Sequence, residues 1–421
     1  MNEALDLWRR SLASVLDYCA IPLCAWLLFQ ALFGGSQPFD LEAWWVGVVG
    51  FTAWAAAPGA QRRVPVPMLM FAVLMLVSSA VHRWAAVQAA SDLAWWEVFR
   101  PASQWFVMCV VVIGVAHTLR TPERLAVFAT CLTAGTLVIA AQLVFDRTRT
   151  GFLYNEGGSS SIPTVVQWSG IHQLGVVFVI GLPMVLAIAV FGGRVYAAAA
   201  GLVLSAGFML AAFLNGSRSA IFSIGIASVL MIAVGLKEGW RSRWFRLLSA
   251  VVLLAIPAAL WVGFTQYETS MRGITSLSSG RAPIWNEALR IARDHPWLGV
   301  GPGNYFVTAA TETYRTSADI NSQAHNQILQ IAAEGGFVAA VCFVLGWFWM
   351  FRASWAGIRD RRVRQVALGV LFALVALLIR STYDSIVDGI IGSDRIRVLV
   401  WMLFGAAVAL QQRARSQTRE V

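Results

Sequence analysis

Along this chain, apolar positions cluster into long, near-uncharged runs of about 17 to 25 residues. Short stretches where Arg, Gly, Pro and Asp gather separate them. Wound as a helix, such a run spans a hydrocarbon core about 30 Å thick. The pattern predicts about twelve transmembrane helices, at 12–33, 41–57, 64–81, 102–118, 125–145, 172–191, 195–214, 220–236, 247–264, 328–351, 366–379 and 396–410. One connection, 265–327, is far longer than the others and contains a different periodicity. From Pro283 to Arg293, Ile284, Ala288, Leu289 and Ile291 are apolar while Glu287, Arg290 and Arg293 are polar, which predicts a short amphipathic surface helix. The segment 295–305 after it carries Gly299, Gly301, Gly303, Pro296 and Pro302, the composition of a tight, non-helical chain reversal. The fold class expected is therefore an all-α polytopic membrane protein. It is one helical domain over 1–421, with a loop subdomain of short helices at 265–327 between spans nine and ten. No internal repeat is visible, and the two halves lack matching Gly/Pro-broken helices of the inverted-repeat transporter kind.

Composition agrees with lipid as the solvent. With 58% hydrophobic and 13% charged residues and a mean hydropathy of +0.66, a 421-residue globule would have too little polar surface to cover itself. A net charge of +10 would suggest nucleic acid in a soluble protein, but the basic residues form no aromatic-interleaved face; they are 31 Arg and the single Lys237. Their distribution sets orientation instead. Nineteen, including Arg62, Arg63, Arg120, Arg124, Arg241, Arg243, Arg359, Arg361, Arg362 and Arg413, fall on one side of the predicted bundle, and the remaining 13 of 32 on the other. Five of those 13 (Arg272, Arg281, Arg290, Arg293 and Arg315) lie in the long loop, where the charge rule does not count. Both termini are predicted to be cytoplasmic and the long loop to lie on the opposite face. Trp44, Trp45, Trp95, Trp96, Trp240 and Trp244 near span ends match aromatic belts. The five cysteines fall inside predicted spans, which offers neither a disulfide framework nor a zinc knuckle. The first apolar run lacks a cleavage pattern and is read as an uncleaved anchor.

Polar chemistry concentrates on the face opposite the predicted termini. His325 precedes an apolar run within Ala324-His325-Asn326-Gln327. There a neutral imidazole, with an ordinary pKa of about 6.5, can take a proton from a hydroxyl. A polar residue capping a helix start is the alternative at that position. Arg218 sits in the short turn 215–219 between two spans, where a guanidinium either holds phosphate oxygens with paired hydrogen bonds or snorkels to headgroups. Arg281 offers the same choice against a solvated loop charge. His82, His117, His172 and His295 are assigned to structure. The Gly-rich turn lacks the Lys-Ser/Thr ending of a nucleotide phosphate loop, and Asp384, Asp388 and Asp394 are too loosely spaced for a metal motif. No metal, nucleotide, nucleic acid or other cofactor is expected.

In order along the chain stand Gly216-Ser217-Arg218-Ser219-Ala220, Ser279-Gly280-Arg281 with Trp285, Pro296-Trp297-Leu298-Gly299-Val300-Gly301, and His325-Asn326-Gln327-Ile328-Leu329-Gln330 with Glu334-Gly335. This set resembles the O-antigen ligase and O-antigen polymerase superfamily, with the motifs between about residues 170 and 350 and the span pattern along the whole chain. The resemblance implies a GT-C-like glycosyltransferase of a bacterial inner membrane, working on the periplasmic face. Its donor would be a glycan on undecaprenyl diphosphate and its acceptor lipid A-core oligosaccharide, with inversion at the anomeric carbon. It implies that Arg218 and Arg281 bind the diphosphate and that His325 is the general base, with Asn326, Gly301, Tyr305 and Asp384 in support. A single large outside loop late in the chain looks most like the ligase. The polymerase, which uses the same donor class, is the alternative within the family. A transporter of an anionic lipid or solute, with the arginines as attracting charges, is the alternative outside it.

Overall fold

In lipid, a backbone has no water to satisfy its N–H and C=O groups, so apolar runs of this length have to close their hydrogen bonds within themselves. The computed structural model follows that requirement. It describes residues 21–22, 24–26, 28–29, 66–89, 95–150, 171–191, 195–215, 217–237, 281–305, 308–309, 323–383 and 394–420, and among them there is no strand. The helices are α1 (Val66–Ala89), α2 (Trp95–Thr118), α3 (Pro122–Thr150), α4 (Ile171–Phe191), α5 (Val195–Leu214), α6 (Arg218–Lys237), α7 (Ala282–Asp294), α8 (Gln327–Gly357), α9 (Arg364–Ser381) and α10 (Asp394–Glu420). The predicted spans 41–57 and 247–264 lie outside the described residues, and so does most of 12–33, whose described residues are helical.

Among the described residues, five stretches are long and apolar enough to cross a membrane: Pro122–Phe145, Leu174–Phe191, Tyr196–Leu214, Gln327–Gly357 and Arg364–Ser381. Val66–His82, Gln104–Thr118 and Ser219–Gly235 are shorter apolar helices. The span predicted at 366–379 is longer than its apolar run, since α9 continues to Ser381 and takes the charged Arg380 into its last turn.

α1, α2, α8 and α10 pack as one group, and α3, α4, α5, α6 and α9 as another. Contacts of α9 with α8 and α10 join the two. α4 is the inner helix of its group and buries nearly all its apolar side chains, including Val177, Phe178, Val179 and Ile180. α5 is peripheral. Its Val203, 72% exposed, and its Tyr196 and Leu210 face outward, as side chains do where the surrounding medium is hydrocarbon.

At one end of the bundle the basic residues gather. Arg413 of α10 pairs with the buried Asp360 at 2.5 Å, Arg124 donates to the Thr118 carbonyl, and Gln365 donates to the Phe191 carbonyl. These belong to the arginine-rich side of the charge count. The opposite end carries the polar motifs.

There α8 is interrupted. Gly336 has φ 80° and ψ 172°, so the helix predicted as a single run from residue 328 is two helical segments joined at a break. Just before the break, Ala333 belongs to a small second core with Ala288, Ile291, Val300, Tyr305, Ala309 and Ala324, which seats α7 against α8. The predicted amphipathic helix is thus present as α7, with Ala288 and Ile291 inward and Arg290 tied to Glu287 and Asp294 on its outer face.

Candidate functional site

A helix interrupted inside a membrane protein leaves backbone groups that need partners. The turn at 295–301 supplies them. Val300 N donates to Ala333 O and Gly301 N to Glu334 O, both at 2.9 Å, and Phe337 N donates to Pro296 O at 2.8 Å. The fit depends on two glycines with positive φ. A Cβ on Gly299 would stand 2.3 Å from the Glu334 carbonyl carbon, and one on Gly336 would stand 2.4 Å from the Trp297 oxygen. Ser78 of α1 closes the assembly, its hydroxyl donating to Leu298 O at 2.5 Å and Glu334 O at 3.1 Å. His82, one turn further on, lies against Gly301.

The first segment of α8 begins at Asn326, whose Oδ1 accepts from Ile328 N and Leu329 N, both at 3.1 Å, an N-cap of the expected kind. The Asn326 amide nitrogen donates to the Thr382 carbonyl at 3.2 Å, beyond the end of α9. Arg281, at the N-cap position of α7, makes no side-chain cap. Its Nη1 donates instead to the Tyr383 carbonyl. Two residues from distant motifs therefore bond to adjacent carbonyls at the end of α9, and the backbone of His325, next to Asn326, is drawn toward that junction. His325 has φ +49°.

One turn back along α9, Arg380 is wholly buried and donates from Nη1 to the Ser217 hydroxyl at 3.1 Å. Gly175 of α4 makes room for it, since a Cβ there would come within 2.7 Å of Nη1. Ser217 is followed directly by Arg218, the first residue of α6. The backbone of Arg218 is thus tied to the same end of α9 that receives Arg281 and Asn326.

Of the residues expected at the site, Arg281 and Asn326 bond to the carbonyls of Tyr383 and Thr382, His325 directly precedes Asn326 in the chain, and Arg218 starts the helix next to the Arg380–Ser217 bond. Gly301 is buried in the turn that backs α8, with φ +94°. Tyr305 is buried in the small core, where its hydroxyl donates to Ile284 O at 3.3 Å. Burial and the nearby Glu287 and Glu334 carboxylates push its phenol upward, so it stays neutral in the physiological range. Asp384 lies outside the described residues.

Two features escaped the sequence reading. Arg380 was counted only as an outside charge, although an arginine closing an apolar run was a signal of a buried polar contact. Gln330 and Glu334 received no chemical role, yet both are buried and bonded to each other at 2.8 Å.

Chemically, the junction holds a guanidinium fork, suited to paired hydrogen bonds with phosphate oxygens, and His325, which carries a group able to exchange a proton, is the residue next to its Asn326. No curated protein matches the chain. Residues 200–344, which include Arg218, Arg281, His325 and the broken part of α8, match the family model described as O-antigen ligase, a match over about a third of the chain that supports an assignment to that family.

Proposed function

We propose that this protein is an O-antigen ligase. In this reading it transfers a polysaccharide from undecaprenyl diphosphate to lipid A-core oligosaccharide, on the periplasmic face of a bacterial inner membrane, in lipopolysaccharide biosynthesis. The family match supports a glycosyltransferase-like membrane enzyme of ligase or polymerase type. The observation that carries the finer reading is the meeting of Arg281 and Asn326, and with it His325, at the carbonyls of Thr382 and Tyr383.

The donor diphosphate lies against Arg281 and Arg218, whose guanidinium groups neutralise the charge that grows on it as the bond to the sugar breaks. The acceptor hydroxyl attacks the anomeric carbon from the opposite side. Its proton passes to His325, the anomeric C–O bond breaks, and undecaprenyl diphosphate leaves with the bonding pair. The configuration at the anomeric carbon inverts. Charge neutralisation by arginine gives metal no role in this scheme. Both termini are cytoplasmic, and the polyprenyl tail lies along the apolar bundle.

The test is transfer by purified protein from undecaprenyl-diphosphate-linked O-antigen to lipid A-core, with chelator and without nucleotide, read as a mobility shift. A shift lost in His325→Ala supports ligation. Retention of full activity in both His325→Ala and Arg281→Ala refutes this assignment of the site. Polymerisation of single lipid-linked repeats, with no product on lipid A-core, moves the assignment to the polymerase. That enzyme shares the donor and the features that hold it.

A further inference from the structure

We propose that Gln330 and Glu334 are positioning residues for His325, fixing its backbone in the conformation from which the imidazole works; this rests on His325 being the base of transfer. Among the described residues His325 is the one non-glycine with positive φ, at +49°. A residue with a Cβ holds a left-handed backbone where its surroundings impose it, and such positions cluster at functional sites.

The imposing contacts lie on both sides. After His325, Asn326 is locked by its cap to Ile328 and Leu329 and by its bond to Thr382. Before it, the buried Ala324 N–H donates to Gln330 Oε1 at 2.7 Å. A glutamine amide has two different ends, and only its oxygen can receive that N–H. Glu334 decides the orientation. One turn further along α8, its Oε1 accepts from Gln330 Nε2 at 2.8 Å, which turns the amide oxygen toward Ala324.

Glu334 is itself held, because its own carbonyl receives Gly301 N and the Ser78 hydroxyl. Ala324, Gln330 and Glu334 are exposed by 0%, 1% and 2%, so water does not compete for these bonds. A reversed amide would set its oxygen against the carboxylate and leave a buried N–H without an acceptor. The chain of contacts therefore runs from the 295–301 turn through Glu334 and Gln330 to the residue preceding His325.

The test uses full-length protein in detergent, with undecaprenyl-diphosphate-linked O-antigen and lipid A-core as substrates, and hydrogen exchange at Ala324 as a readout independent of activity. In Gln330→Leu, exchange at Ala324 speeds up, kcat falls by about one to two orders of magnitude, and the donor KM changes by less than about threefold. Gln330→Glu sets two carboxyl groups face to face and loses activity similarly. The exchange Gln330→Glu with Glu334→Gln restores the polarity, since the new carboxylate accepts from both Ala324 N–H and the new amide. Most of kcat returns. Faster exchange in Gln330→Leu with unchanged kcat overturns the proposal, as does a folded double variant no more active than Gln330→Glu. If His325→Ala transfers as fast as the parent, it is the base assignment that fails. Exchange then decides the contact alone, and an unchanged rate at Ala324 in Gln330→Leu overturns it.

Discussion

Arg281 donates to the carbonyl of Tyr383, a residue 102 positions away along the chain. The bond ties the start of an amphipathic loop helix to the end of a helix apolar enough to cross a membrane. A carbonyl past the end of a helix carries part of that helix's negative pole, so the guanidinium is well placed there before any ligand arrives. In the proposed reaction, an anionic donor entering the junction would meet an arginine whose position is already set, at lower ordering cost.

Arg281→Ala removes both the anchor and the charge. We expect kcat/KM to fall at least about a hundredfold, and Arg281→Lys, which keeps charge without the fork, to fall about tenfold. Steady-state transfer rates at varied donor concentration check both, and equal activity of the lysine variant and the parent would mean that the fork geometry is not used.

Gly175→Ala separates function from stability at Arg380. The new Cβ would come within 3.0 Å of both terminal nitrogens of Arg380 and of the Ser217 hydroxyl, and the flexible end of the arginine is what yields. Alanine in a helix recovers about 1 kcal/mol over glycine, which offsets the lost hydrogen bond of similar size. Thermal unfolding in detergent should thus shift little while transfer declines. Ser217→Ala should cost about 1 kcal/mol and show the same decline.

Gly299→Ala and Gly336→Ala strike backbone rather than a movable side chain, at φ +60° and +80°. Each should destabilise the protein by at least about 2 kcal/mol. Limited proteolysis near residues 295–305 should rise together with the drop in melting temperature.

Tyr305→Phe tests a structural assignment. Losing the bond to Ile284 should cost about 1 kcal/mol and leave the pH dependence of kcat unchanged, because the phenol is held neutral. Its folded value lies above the unfolded value of about 10, so the neutral form favours the fold below that pH. The advantage is lost as alkalinity rises beyond it. Melts recorded between about pH 9 and about pH 11 should show a smaller alkaline decline in the phenylalanine variant.

Runs such as 172–191 and 195–214 were legible because hydrocarbon leaves a helix as the chain's way to satisfy its backbone, and the structure places α4 and α5 there. α7 was legible from its periodicity. The break at Gly336 was not, because a glycine pair in an apolar run fits close helix packing equally well, and the decisive partner, the Pro296 carbonyl, is 41 residues earlier. Arg281 and Asn326 were singled out by residue type and position. That both bond to the carbonyls of Tyr383 and Thr382 depends on which helices are neighbours, which span order does not specify.

The interruption in α8 works as a splinted elbow. The 295–301 turn bonds to carbonyls on one side of Gly336 and to an N–H on the other, so it clamps both arms of the joint. The aim of the arm that carries His325, relative to the arm that follows Gly336, is therefore written in a handful of loop residues. Exchanging those residues between relatives would redirect the His325 end of the elbow while leaving every helix long and apolar enough to cross the membrane untouched.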